Sequence, residues 1–359
     1  MMTGHPRQLR KGRGAVSNRA SRYDSAAPVE MDDGWGILDE DLPPLRTTVT
    51  IDSTRGIIAR NQSPDLPFDR SINPYRGCEH GCVYCFARPS HAYLGLSPGL
   101  DFETRLFAKP NAPALLDAAL RKPGYECRVM ALGTNTDPYQ PIEREYRITR
   151  GILEVLSAHD HPVAIVTKSY LVVRDIDILA DMASRSLARV YVSVTTLDRD
   201  LARNLEPRAA TPPRRLATIR ALARAGIPTG AMVAPIIPAL NDAEIEDILA
   251  AVAEAGAESA SYILLRLPLE IAGLFREWLA VHAPLKADHV MSLLRGMRGG
   301  RDYDSAWGRR MTGEGAYADL IARRFKLATR RLGLTGRDWS LDVSRFRPPP
   351  RPGDQLSLL

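Results

Sequence analysis

A regular alternation of strand-like and helix-like segments limits the folds open to this chain. Short β-branched apolar runs recur at residues 72–76, 128–132, 163–167, 189–195, 229–235 and 261–267. Segments of helical period occur at 113–120, 142–157, 175–184, 213–225 and 243–255. The runs are continuously apolar, which is typical of strands buried on both faces of a parallel sheet. We therefore predict an α/β fold, an open or partial (β/α)6 barrel that stops short of a closed one.

The segments outside residues 71–268 differ in composition. Residues 1–45 are rich in Arg, Gly, Ser, Asp and Pro without apolar periodicity, so we predict a disordered basic arm. Residues 46–70 form a short lead segment with a β-prone start. Residues 269–345 predict a helical, basic C-terminal region with a Gly- and Arg-rich break at 296–304. Residues 346–359 form a Pro-rich tail that we expect to start as a stiff, extended spacer.

Three cysteines on one tight loop indicate the chemistry. Cys78, Cys82 and Cys85 have the spacing C-x3-C-x2-C, and no fourth cysteine follows closely. Three thiolates can hold three corners of a cubic iron–sulfur cluster and leave the fourth iron open, whereas electron-transfer clusters are normally closed by four cysteines. A Cys3His zinc site completed by His80 or His91 is the alternative. The sequence therefore predicts a reactive metal centre with these three cysteines as ligands.

With this loop after the first strand, an aromatic residue (Tyr84) before the last cysteine and six β/α units, the chain resembles the radical S-adenosylmethionine (SAM) superfamily over residues 71–268. The resemblance implies a partial TIM-type barrel of the radical SAM kind. It also implies a [4Fe–4S] cluster whose open iron is chelated by SAM. Reductive cleavage of SAM then yields a 5′-deoxyadenosyl radical that abstracts a hydrogen atom from the substrate. The cofactors supply this chemistry, and the protein supplies position and shielding.

Within the superfamily, the chain resembles spore photoproduct lyase and uncharacterised bacterial relatives labelled as DNA repair photolyases. The motifs that carry this resemblance are Val166-Thr167-Lys168, Ser193-Val194, Leu205-Glu206-Pro207 and Val233-Ala234-Pro235. Each lies at the carboxyl end of a predicted strand or in the loop beyond it, where barrel enzymes place their sites. The resemblance implies that Lys168, Ser193 and Ala234 contact SAM, as does the aromatic Tyr84 beside the cluster.

The second predicted strand leads into Gly133-Thr134-Asn135-Thr136-Asp137. Superfamily members use this place to hold the amino group of SAM through backbone carbonyls and short polar side chains. Gly133 permits close approach of the backbone, and the four residues after it provide oxygen atoms. A turn that caps the next helix is a compatible alternative, since Asp137 precedes Pro138.

Two positions depart from the lyase. Its hydrogen-donating cysteine lies just after the second strand, where this chain has Gly133-Thr134, and its tyrosine after the last cluster cysteine is Phe86 here. The remaining Cys127 is expected at the opposite end of the barrel, as a buried core thiol. We therefore expect the lyase's radical relay to be missing, and repair of thymine photoproducts is not carried over. We also expect no second cluster, so the electron should come from a separate donor of the flavodoxin or ferredoxin type.

Positive charge is concentrated in the two flanks. Residues 1–30 hold six Lys/Arg against two acids, and residues 286–351 hold fifteen against seven. Such clustering is the footprint expected of DNA or RNA binding; a solvated helical face is the alternative. The final Gln355-Leu-Ser-Leu-Leu359 resembles the peptide by which bacterial repair proteins dock on the DNA sliding clamp, with Leu359 in place of a final Phe. A tail strand packed on its own domain is the alternative.

These observations leave three functional hypotheses. The first is a radical SAM enzyme that acts on nucleic acid, in repair or modification. The second is a radical SAM enzyme with a peptide or small-molecule substrate, and the third is a non-catalytic iron–sulfur or zinc DNA-binding module. The chain has no apolar stretch of about 18 residues, no secretory h-region and no disulfide-like cysteine pattern. We therefore expect a cytoplasmic protein without a membrane partner.

Overall fold

The computed structural model describes residues 10–24, 45–336 and 340–350. Within these residues the strands are, in chain order, β1 (Thr48–Ile51), β2 (Ile58–Arg60), β3 (Arg70–Ile72), β4 (Tyr75–Arg76), β5 (Arg105–Ala108), β6 (Met130–Leu132), β7 (Val163–Thr167), β8 (Ala188–Ser193), β9 (Thr229–Ile236) and β10 (Ser259–Leu264). The α-helices are α1 (Asp101–Thr104), α2 (Ala112–Leu120), α3 (Glu143–Tyr146), α4 (Ile148–Ala158), α5 (Ile176–Ser184), α6 (Arg199–Leu205), α7 (Pro212–Arg224), α8 (Ile245–Glu254), α9 (Ile271–His282), α10 (Ala287–Gly296) and α11 (Ala316–Arg331).

The main sheet confirms the predicted open barrel. Its strand order is β2–β3–β6–β7–β8–β9–β10, and the six strands from β3 to β10 pair in parallel. Strand β2 pairs antiparallel with β3 at one edge. Across the described residues the sheet does not close on itself, because β2 and β10 lie at opposite edges. All six carboxyl ends of the parallel strands therefore face one mouth, and the site is expected there.

Burial explains why the strands are continuously apolar. In β7, Val163 and Ile165 are fully buried, and the alternate residues are partly buried. The covering helices contribute apolar stripes; in α4 the buried residues include Ile148, Ile152 and Leu156, spaced four apart. Since helices cover the outer face of the sheet, the parallel strands from β3 to β9 are largely buried on both faces, as the sequence pattern predicted, whereas the edge strand β10 is mostly only partly buried.

The expected first strand at 72–76 is divided between two sheets. Strand β3 ends at Ile72, and β4 pairs antiparallel with β5 in a separate three-stranded sheet of order β1–β5–β4. Pro74 lies between the two pieces and has no N–H to donate to a ladder. The division leads the chain directly from β4 into the cysteine loop.

The helix expected at 142–157 is also divided. Arg147 adopts a left-handed conformation (φ 50°) between α3 and α4. The Glu143 carboxylate accepts hydrogen bonds from the Thr149 N–H at 3.0 Å and the Arg150 N–H at 3.4 Å, which belong to the first turn of α4. This carboxylate satisfies amides that a helix N-terminus leaves unpaired, so it stabilises the break.

Residues 10–24, which we call the N-terminal strap, correct the expectation of a disordered arm. Ala15 and Val16 are buried. Ser17 Oγ donates to the Glu277 carboxylate at 2.5 Å, and the Arg22 guanidinium forms an ion pair with Glu270 at 2.9 Å. The strap therefore packs from the cysteine loop toward α9. The rest of the predicted arm, residues 1–9 and 25–44, lies outside the described residues.

The C-terminal region continues with helices α9 to α11, and the chain then returns to the amino-terminal end of the strands. The Phe346 ring contacts the rings of Tyr125, His159 and His161, with centroids 5.3, 6.4 and 5.5 Å apart. These three residues precede strands of the main sheet, so the tail starts on the side opposite the mouth. Residues 351–359, which include the predicted clamp peptide, lie outside the described residues. No helix among the described residues is long and apolar enough to cross a membrane.

Candidate active site

The cysteine loop lies at the mouth of the barrel and is folded by its own backbone. The Gly81 N–H donates to Cys78 O at 3.3 Å, and the Cys85 N–H donates to Cys82 O at 3.2 Å. The Cys78 N–H donates to Phe102 O in α1 at 2.9 Å. Cys78 and Cys82 are buried, and Cys85 is half-buried. Two consecutive turns thus place three thiols on one short loop, and none of them is in a disulfide.

A fully buried ion pair between Arg88 and Glu103 supports this loop. The Arg88 guanidinium donates to Cys82 O at 2.9 Å, to Gly81 O at 3.1 Å and to Glu103 Oε1 at 2.5 Å. Both side chains have no exposed surface. A planar guanidinium can satisfy several acceptors at fixed angles, which suits it to hold a loop of defined shape.

The N-terminal strap binds the other side of the same carboxylate. Glu103 accepts hydrogen bonds from the Gly14 N–H at 2.9 Å and the Ala15 N–H at 2.8 Å. A Cβ on Gly14 would lie 1.8 Å from Gly81 O, so only glycine fits against the cysteine loop here. The sequence did not predict this support, because two of the three groups that donate to the Glu103 carboxylate are backbone amides.

The two histidines near the loop make other contacts. His80 is buried with its Nδ1 3.4 Å from Asp137 Oδ2, and His91 Nε2 is 2.9 Å from Arg105 O. Burial opposes a charge on His80, but the Asp137 carboxylate and the Cys78 sulfur outweigh it and raise the pKa of His80 to about 10. Among the described residues, no group of three or more His, Cys, Asp or Glu side chains is arranged to hold a single metal ion. In this structure His80 is engaged by Asp137 and His91 by the Arg105 carbonyl, which favours the cluster over the Cys3His alternative.

Four of the predicted SAM contacts come together beside the cysteine loop. The Lys168 ammonium donates to Ser193 Oγ at 2.6 Å and to Ala234 O at 3.4 Å. It also lies 5.9 Å from the centroid of the Tyr84 ring. Burial lowers the pKa of Lys168. The ends of β7, β8 and β9 thus place one partly buried cation near Tyr84, which directly precedes Cys85.

A buried carboxylate that we did not assign from the sequence connects these residues. Glu206 accepts hydrogen bonds from the Tyr84 hydroxyl and the Arg215 guanidinium, and its Oε1 is 3.8 Å from Lys168 Nζ. Thr195 Oγ1 donates to the same carboxylate at 2.7 Å. Burial raises the pKa of Glu206, although Arg215 opposes the shift. The Leu205-Glu206-Pro207 motif indicated from the sequence that Glu206 lies near the site, but it did not predict the hydrogen bond from Tyr84.

The loop from Gly133 to Asp137 lies next to this group. Gly133 has φ +86°, and a Cβ there would lie 1.9 Å from Val166 O. Asn73 Oδ1, another residue not assigned from the sequence, accepts from the Asn135 N–H at 3.0 Å and the Thr136 N–H at 3.4 Å. Thr134 Oγ1 donates to the same oxygen at 3.4 Å. A single amide oxygen therefore fixes the shape of the loop.

Asp137 already has partners within the protein. Its Oδ1 accepts from Thr167 Oγ1 at 2.7 Å and from the Tyr139 N–H at 2.9 Å, and its Oδ2 accepts from the Lys168 N–H at 2.7 Å. Burial opposes ionisation, but the His80 charge and these donors lower the pKa of Asp137. In this structure the carboxylate organises the loop and the start of the Lys168 segment, which agrees with the turn-capping role open from the sequence.

The fold and the cysteine loop define an open β/α barrel enzyme with a thiol-lined site at the carboxyl ends of its strands. The chain belongs to the radical SAM superfamily, since the family model described as "Radical SAM superfamily" matches residues 72–252. Members of this superfamily are enzymes that use a [4Fe–4S] cluster and SAM. This family assignment excludes the third hypothesis, a non-catalytic DNA-binding module.

Relatives and solved structures agree with this assignment. An uncharacterized protein of Mycobacterium tuberculosis is 40% identical over 242 residues, which cover 66% of this chain and 71% of the relative. An uncharacterized protein of Methanocaldococcus jannaschii is 29% identical over 173 residues, or 48% of this chain and 62% of the relative. Among solved structures, a point mutant of spore photoproduct lyase has a TM-score of 0.56 at 17% identity and covers 80% of this chain and 79% of its own. The last likeness confirms the predicted fold.

The cysteine loop fits the cofactors of the superfamily. Its three thiols are free and on one loop, and soft sulfur ligands are those that iron–sulfur clusters take. Cys78, Cys82 and Cys85 are the residues that would hold the cluster. When bound, the cluster supplies one electron for cleavage of SAM. The protein's own part is to hold the loop through Arg88 and to place the Lys168 charge beside it.

The departures from the lyase persist in three dimensions. Gly133 makes a backbone contact that a cysteine side chain could not share, and Phe86 offers a ring without a hydroxyl. Cys127 precedes β6 and so lies at the amino-terminal end of the strands, as expected. It is half-buried rather than a core thiol, and burial raises its pKa to about 11.

Proposed function

We propose that this radical SAM enzyme acts on nucleic acid, in repair or modification. The observation that carries the proposal is the exposed face of α11. Arg323, Lys326, Arg330 and Arg331 are exposed there and form no ion pair among the described residues, although Arg331 helps to lower the pKa of Glu246. By contrast, other arginines of this basic region are paired, such as Arg324 with Glu246 at 2.5 Å.

Pairing divides the basic region into two kinds of cation. Arg295, Arg309, Arg310, Arg345 and Arg347 also form ion pairs with acids, so they contribute little net field. The exposed cations of α11 lie close together and lack ion pairs, whereas Lys286 and Arg301, which also lack ion pairs among the described residues, stand singly. The α11 cations are spaced along one side of the helix, as contacts to successive phosphates require.

Salt-dependent binding tests this proposal. We expect the full-length protein to bind fluorescein-labelled DNA with a log–log salt slope of roughly −0.9 for each phosphate contact. The double variant Arg323→Gln, Arg330→Gln should lower that slope by about two contacts, at about one per cation. The matched control is Arg220→Gln with Arg224→Gln, which removes two exposed cations from α7 and should leave the salt slope unchanged. No affinity for DNA or RNA near physiological salt would contradict the proposal and favour a peptide or small-molecule substrate.

We further propose the roles of the cofactor-binding residues. Cys78, Cys82 and Cys85 hold the cluster, and Lys168 faces the carboxylate of SAM with support from Ser193, Ala234 and Tyr84. The residues from Gly133 to Asp137 line the side of the site that receives the amino group of SAM. The support is the convergence of three strand ends on Lys168 Nζ. Equilibrium dialysis of SAM tests it: Lys168→Met should weaken binding to the reconstituted protein, and unchanged affinity would contradict the assignment.

The partners follow from the same proposal. Because one cysteine remains beyond the triplet, too few for a second cluster, the electron comes from a flavodoxin- or ferredoxin-type donor.

The tail peptide Gln355-Leu-Ser-Leu-Leu359 recruits the sliding clamp. In support, Arg121 Nη1 donates to Pro349 O at 2.7 Å, so the described part of the tail ends on the side of the barrel opposite the mouth. Deletion of residues 354–359 should abolish retention on immobilised clamp; undiminished retention would rule out this partner.

A further inference from the structure

An aromatic ring and an arginine at the mouth of the barrel lie next to the cysteine loop. Phe86 directly follows Cys85, and 46% of its surface is exposed. The Arg266 guanidinium lies 5.0 Å from the centroid of the Phe86 ring and 5.9 Å from that of Tyr303. Arg266 follows the carboxyl end of β10, whereas Phe86 follows the cysteine loop near β3. The pair therefore joins the first and last parallel strands at the open side of the barrel.

Arg266 forms no ion pair with a carboxylate among the described residues, although its charge contributes to the field at Asp65. Its Nη2 donates to the Tyr303 hydroxyl at 3.3 Å and its Nη1 to the Met311 sulfur at 3.4 Å; both acceptors are uncharged, and the thioether is a weak one. Its Nε is buried and has no acceptor in the part of the chain that the structure describes. A guanidinium with an unsatisfied N–H in a partly buried place is unusual, because such groups are normally paired.

The acids nearby are already engaged. Asp65 accepts from Arg310 Nε at 2.5 Å and from the Gly308 N–H at 2.7 Å. Asp304 accepts from the Ala306 N–H at 2.9 Å and lies 3.4 Å from Arg309. Net positive charge therefore remains beside an exposed ring, and an anion with a flat, polarisable surface matches both features.

We propose that Phe86, Arg266 and Tyr303 form a nucleotide subsite, in which a base stacks on Phe86 and its phosphate pairs with Arg266. The inference rests on the proposed nucleic-acid function and names where the strand contacts the mouth. Aromatic platforms bind single-stranded bases because every base presents a π face, and arginine adds charge to the stack. Because Phe86 directly follows Cys85, a base stacked on its ring would lie near the reacting centre.

Binding of a labelled oligothymidylate to the anaerobically reconstituted full chain, measured by fluorescence anisotropy, tests the subsite. Phe86→Leu keeps an apolar side chain but removes the π face, and we expect Kd to rise roughly 5- to 150-fold, the range for loss of one stacked base. Phe86→Trp should bind as well as the wild type or better. Arg266→Gln should weaken binding and lower the salt slope by about one contact.

A matched control is available in the same protein. Tyr93 is exposed and lies under the Arg22 guanidinium at 4.9 Å, but that arginine is neutralised by Glu270. Tyr93→Leu should leave the affinity unchanged. If the wild type binds and both Phe86→Leu and Arg266→Gln bind equally well, the subsite is wrong while the proposed function stands. If the wild type binds no nucleic acid, both are wrong.

Discussion

The buried ion pair beneath the cysteine loop gives a quantitative prediction. Glu103 accepts three N–H groups, from Arg88, Gly14 and Ala15, and neither it nor Arg88 has exposed surface. Glu103→Gln replaces one acceptor oxygen by an NH2 group and leaves the Arg88 charge buried without a counter-charge. Breaking such a pair costs about 3–5 kcal/mol. We expect that loss in the free energy of unfolding, together with faster loss of iron from the reconstituted protein.

Urea unfolding followed by tryptophan fluorescence, to which the buried Trp278 contributes, measures the first quantity, and iron retention against a chelator measures the second. The control is Asp200→Asn, which removes the partner of Arg203 at 2.8 Å where both side chains are more than 70% exposed. Exposed pairs contribute about 0–1 kcal/mol, so the control should unfold like the wild type. If Glu103→Gln also unfolds within about 1 kcal/mol of the wild type, the support assigned to this pair is refuted.

Three further predictions concern the strap, the buried carboxylate and pH. Gly14→Ala should speed hydrogen exchange across residues 10–24, because its Cβ would overlap Gly81 O, while Gly56→Ala, with open space around it, should not. Glu206→Gln should weaken retention of iron or SAM roughly 10- to 100-fold, the range for groups that orient a metal site; unchanged retention would contradict its role. Burial lowers the pKa of His161 from about 6.5 to about 4, so the folded state keeps it neutral and stability should fall as pH drops between these values. The loss should be about 3 kcal/mol, and His161→Gln should flatten the stability–pH curve by that amount; parallel curves for the two proteins would refute it.

The parts of the structure set by local pattern could be predicted from the sequence. The six parallel strands follow from continuous apolar runs, since each run must be buried on both faces. Lys168, Ser193 and Ala234 could be placed together because the carboxyl ends of parallel strands meet at one edge. Boundaries were less accurate where a single residue changed the course of the chain, as at Pro74 and Arg147.

Contacts between distant segments could not be predicted in this way. The strap is polar and glycine-rich, which is typical of disorder, yet it is ordered by Glu103, 89 residues from Gly14. Its donors are backbone amides, which leave no side-chain pattern. Likewise, Arg310 belongs to a basic run, but its charge is compensated by Asp65, 245 residues away. Composition counts such charges equally, whereas the fold decides which remain free.

The most direct test of the account is anaerobic reconstitution followed by a search for 5′-deoxyadenosine. The wild-type protein, loaded with iron and sulfide, reduced and given SAM, should form 5′-deoxyadenosine even without its substrate. Cys82→Ala should form none, whereas Cys127→Ala, which changes the cysteine at the opposite end of the barrel, should form as much as the wild type. A wild-type protein that holds a reducible cluster and binds SAM but yields no 5′-deoxyadenosine would contradict the account.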